Sequence, residues 1–125
     1  MKGLKTLMAT LLGTALLTAP APASATPPAY LHYVACGVSQ KAKPAHTCSK
    51  RRKKGAFFQS NVGDVYYMVC VKFPTTKRPV CKGEQQAVQG TLYVNTIKSN
   101  IPGKHKVSWF VGGKRVGLFF FTVSG

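Results

Sequence analysis

The side chains able to do chemistry are few in this chain and unevenly spread. Asp64 and Glu84 are the only carboxylates, set against 18 Lys+Arg, for a formal charge of +16 over 125 residues. Paired-carboxylate catalysis would need both of them, and calcium loops or two-metal centres lack ligands. His32, His46 and His105 could each act as a base, and Ser60, Ser99 or Ser108 as a nucleophile. Yet there is no Gly-x-Ser-x-Gly elbow, and Asp64 is the only aspartate for a triad. The histidines do not fall at zinc-ligand spacing. These patterns predict no enzyme and no cofactor.

Cys36, Cys48, Cys70 and Cys81 are even in number and lack the tight Cys-x-x-Cys spacing of zinc or redox sites, which points to two disulfides in an oxidising compartment. Four cysteines permit three pairings, and strand geometry selects one. If Val65–Phe73 is a strand, Pro74–Lys77 its turn and Arg78–Lys82 its return, with Phe73 facing Arg78, then Cys70 faces Cys81. By elimination Cys36 joins Cys48 across Gly37–Thr47, closing a local loop without linking two sheets. Each closed loop is worth roughly 3 kcal/mol in the chain-entropy model.

The densest chemical feature is positive charge. Lys41 and Lys43 lead into Lys50, Arg51, Arg52, Lys53 and Lys54. The run Lys50–Lys54 is too concentrated in charge to bury, so the sequence predicts that it is solvated or meets a polyanion. Lys98, Lys104 and Lys106 lie apart from it in sequence. A field of this kind attracts anionic polymers at a distance and weakens with salt. No helix-turn-helix, zinc-finger or RNA-binding aromatic motif accompanies it, so sequence-specific nucleic-acid recognition is not expected.

The start of the chain sets the compartment. Lys2 and Lys5 precede a short apolar stretch, Leu7–Ala19, followed by Pro20, Pro22 and small residues at Ala23 and Ala25. This is the three-part pattern of a cleaved export signal, too short to span a bilayer, and its style is bacterial. Residues 1–25 are therefore read as signal peptide with cleavage after Ala25, and 26–125 as one secreted, extracellular domain with no transmembrane segment. Nothing in the sequence specifies an oligomeric state.

The elements that must carry these residues are strands. Tyr30–Ala35 and Ala56–Ser60 are short apolar runs flanking a polar loop over Gly37–Gly55. Val65, Tyr67, Val69, Val71 and Phe73 alternate onto one face, with Tyr66, Met68, Cys70 and Lys72 on the other. Thr91–Ile97 is another strand, and Gly83–Gln89 is the one segment that could form a helical turn. Val107, Trp109 and Val111 should face inward, leading into a Gly112-Gly113 hairpin and a return strand Lys114–Val123. Placing Val111 opposite Lys114 puts Trp109 opposite Val116 and Val107 opposite Leu118. The profile is all-β, with about seven short antiparallel strands, and is that of a β-sandwich.

The segment from Ile101 to Val123 resembles the end of many immunoglobulin-like or fibronectin-type-III-like domains of secreted bacterial proteins. The resemblance is carried by Pro102, Gly103, Val107, Trp109, Gly112, Gly113, Phe121 and Val123. It implies an immunoglobulin-like β-sandwich with an accessory, adhesive or binding role, usually without catalysis. The function expected is a small cationic binding or adhesion module on anionic envelope polymers or acidic glycans. The competing expectations are a structural secreted protein with no specific ligand, and a cationic antimicrobial or inhibitor protein.

Overall fold

A computed structural model describes residues 26–125; the export segment read at 1–25 lies outside the described residues. In chain order the strands are β1 (Tyr30–Ala35), β2 (Thr47–Ser49), β3 (Lys54–Ser60), β4 (Val65–Lys72), β5 (Val80–Cys81), β6 (Gln85–Ala87), β7 (Tyr93–Ile97), β8 (Gly103–Val111) and β9 (Lys114–Ser124). No described residue is helical, so none forms a helix that could cross a membrane.

The strands form two sheets. The smaller has the order β1-β3-β7, the larger the order β2-β9-β8-β4-β5, with β6 also paired to β4. Alternation along each strand turns one face of each sheet inward. From β4 this face delivers Tyr67, Val69 and Val71; from β8, Val107 and Trp109; from β9, Phe121 and Val123. The smaller sheet answers with Val34, Ala56, Phe58 and Ile97. The Phe58 and Tyr67 rings stack across the gap at 4.3 Å, and Asn95 Nδ2 donates to the Tyr67 hydroxyl at 2.9 Å. The inward alternation expected along β4 and β8 is what places Tyr67 and Trp109 here.

Both cysteine pairings are as the sequence reading gave them, Cys36–Cys48 and Cys70–Cys81, and Cys70 faces Cys81 in register. Cys36–Cys48 does more than close a loop, however. Cys36 directly follows β1 of the smaller sheet, while Cys48 lies in β2 of the larger one, so this bridge ties the two sheets together. The expectation that neither disulfide joins sheets fails because β2 was hidden in a segment read as loop.

Other departures have equally local causes. The described residues hold nine strands, and β2 pairs with β9 in parallel, not antiparallel. Gln85–Ala87, within the segment read as a possible helical turn, is strand β6. The Gly37–His46 segment is not free loop: it bridges Ala35 to Pro44, and Gln40 Nε2 donates to Leu92 O at 3.2 Å.

The β8–β9 hairpin begins as expected, with Val111 opposite Lys114 and positive φ at Gly112 and Gly113. A bulge between Trp109 and Phe110 then moves the register by one residue. Trp109 faces Gly117, and Val107 faces Phe119. The reason is steric: His32 packs 5.2 Å from the Trp109 ring, and a Cβ at residue 117 would lie 2.6 Å from His32 Cγ. Only glycine leaves room for both rings.

Candidate functional site: a basic basin at one end of the sandwich

Two crossovers between the sheets meet at the same end. The first is Lys50–Lys53, which carries the chain from β2 in the larger sheet to β3 in the smaller. Four residues must span the end of the sandwich, so they make a tight turn, with Lys50 N donating to Ser124 O and Arg52 N to Ser49 O. The second is the β7–β8 connection, which returns from the smaller sheet to the larger through Lys98, Ser99 and Asn100. Together they enclose an open depression of about 420 Å³.

Lys50, Arg51, Arg52, Lys53 and Lys98 are all exposed around this basin, and neither Asp64 nor Glu84 lines it. The structure thus brings Lys98, distant in sequence, into the run. Arg52 Nη2 donates to Cys36 O at 2.8 Å and also borders a neighbouring depression flanked by Lys41 and Lys43. The basic side chains of the first crossover and of the β1–β2 loop therefore share one surface.

Lys54 departs from the expected solvated run. It is 1% exposed, and its Nζ donates to Ser99 O at 2.7 Å and Lys50 O at 3.2 Å. It ties the two crossovers together as the floor of the basin and is not part of its rim. Burial holds its pKa below the ordinary lysine value. A signal for this was present: Lys54 lies in phase with Ala56 and Phe58, which both face inward, so strand alternation overrides the local charge run.

Beside it stands His105, fully buried on β8 between the Phe73 and Phe121 rings. Its Nδ1 is 3.0 Å from Gly103 O, and its Nε2 is 2.7 Å from Ser99 Oγ. A proton on Nδ1 donated to the carbonyl leaves Nε2 as the acceptor for the Ser99 hydroxyl. Burial chiefly pushes the His105 pKa down; the Gly103 carbonyl opposes this, and the Lys54 charge adds to it. Of the serine and histidine candidates, Ser99 and His105 are the pair in direct contact. His32 packs on Trp109, and His46 stacks on Phe119 at 4.3 Å with Nδ1 2.7 Å from Phe120 O.

No family model, curated protein or solved structure matches this chain. The reading of the basin therefore rests on its own geometry. Exposed cations held on short crossovers over a buried ammonium, with no carboxylate on the lining, form a fixed positive field open to solvent. Such a surface can accept a run of phosphates, sulfates or carboxylates without selecting a single small molecule.

Proposed function

We propose that this chain is a secreted, non-enzymatic immunoglobulin-like module that binds anionic polymers of the cell envelope through the basic basin. The observation carrying this reading is the convergence of Lys50, Arg51, Arg52, Lys53 and Lys98 on one acid-free depression. The polymers fitting that chemistry are teichoic acids, lipopolysaccharide and acidic glycans.

The strand order supports the immunoglobulin-like assignment. β1, β3 and β7 take the places of strands A, B and E, while β9, β8 and β4 take those of G, F and C. β2 is then a short second half of the first strand that has crossed to pair with the last. The two disulfides support an oxidising, extracytoplasmic setting. The experiment is chromatography of residues 26–125 on immobilised lipoteichoic acid or heparin. Retention at low ionic strength with elution by moderate salt supports the reading; flow-through at low ionic strength ends it.

A further inference from the structure

On the side of the sandwich where β7 is the open edge of the smaller sheet and β5 that of the larger, a second recess of about 270 Å³ opens between the sheets. Its walls are mainly apolar: Val69, Val71 and Ile97 belong to the core, Phe73 is half-buried beside them, and Asn95 and Thr96 of β7 are the polar part of the lining. Val80 stands at the lip with 59% of its surface exposed. Two lysines from opposite sheets border the recess. Lys82 follows β5 and is fixed by its backbone N–H to Val69 O at 3.0 Å, while Lys98 follows β7. Neither Asp64 nor Glu84 lines the recess, so nothing in its wall neutralises them.

An apolar slot beneath paired cations complements an apolar chain ending in an anion. We propose that this recess binds a medium-length aliphatic carboxylate, with its tail against Val69, Val71 and Ile97 and its head between Lys82 and Lys98. At about 30 Å³ for each water-sized group, the volume sets an upper bound of roughly nine such groups on the part of the chain the recess holds. Burial of the tail's methylenes supplies part of the affinity, and the charge of Lys82 and Lys98 on the carboxylate supplies the rest. A second copy of the chain is a poor occupant, because its own lysines would face Lys82 and Lys98. The inference does not require polymer binding at the basin, although Lys98 borders both sites.

The test is a backbone-amide NMR titration of residues 26–125 with decanoate kept below micelle formation, with acetate as the head-group control. Saturable shifts centred on Val69, Val71, Ile97 and Lys98 are expected with decanoate and not with acetate. Lys82→Gln/Lys98→Gln should weaken decanoate at least tenfold. Val80→Asp, on the exposed lip where the fold tolerates change, should do the same. Shifts centred on Lys50–Lys53, equal responses to acetate and decanoate, or undiminished affinity in both variants would overturn the proposal. So would concentration-dependent shifts along β7 without ligand, which would place a second copy there.

Discussion

Lys54 Nζ lies 2.7 Å from the carbonyl oxygen of Ser99 and joins the first residue of β3 to the loop that follows β7. This contact explains how a chain with so little acid can hold a basic turn in place. The buried ammonium draws the carbonyls of both crossovers toward itself, and the side chains attached to those crossovers are left to face solvent. Fold and candidate function share the same residue.

Replacing that ammonium separates its structural part from its charge. Lys54→Met keeps an unbranched apolar stem, one atom shorter, but leaves the Lys50 and Ser99 carbonyls without their donor. A loss of about 1–3 kcal/mol is expected. Urea unfolding should show a lower midpoint with an unchanged slope. An unchanged midpoint would mean that the ammonium contributes nothing to joining the crossovers.

His105 gives the fold a pH dependence of definite sign. Its pKa is depressed in the folded state, so below the ordinary histidine value of about 6.5 the unfolded chain binds a proton that the folded chain resists. The contribution of His105 to stability is complete above that value and is lost as pH falls through the window between the unfolded and folded pKa. Urea midpoints should drop between pH 7.5 and pH 5 more steeply in the wild type than in His105→Gln. A wild-type midpoint that rises on acidification relative to the variant would contradict the assignment.

Gly117 and His32 should be energetically coupled. Gly117→Ala forces a methyl group into the His32 ring, at a cost of about 1–3 kcal/mol. In a His32→Ala background the same substitution should cost much less, since the obstructing ring is gone. Equal costs in the two backgrounds would show that the bulge beside Trp109 has another origin.

The sequence was most legible where one physical rule acted alone. Strict alternation from Val65 to Phe73 defined β4 and its inward face, and the turn after it fixed Cys70 opposite Cys81. It was least legible where tertiary packing competed with a local rule. Thr47–Ser49 is too short and polar to read as a strand, yet pairing with the end of β9 makes it one and turns Cys36–Cys48 into a link between sheets. The bulge at Trp109 answers to His32, a residue far away in the chain. Lys98 joined the basin only because two crossovers share one end of the sandwich, which no spacing in the sequence records.

The central claim is that position, and not net charge alone, makes the basin the contact for polyanions. It is tested by comparing two variants with the same change in charge on an immobilised lipoteichoic acid column eluted with salt. One replaces Arg51 and Lys53 by serine; Arg52 is kept because it holds Cys36 O. The other replaces Lys114 and Arg115 by serine; both begin β9, roughly 30 Å along the strand from its Ser124 end at about 3.3 Å per residue. The basin variant should elute at distinctly lower salt, and the second variant close to the wild type. Equal shifts in the two would contradict the account.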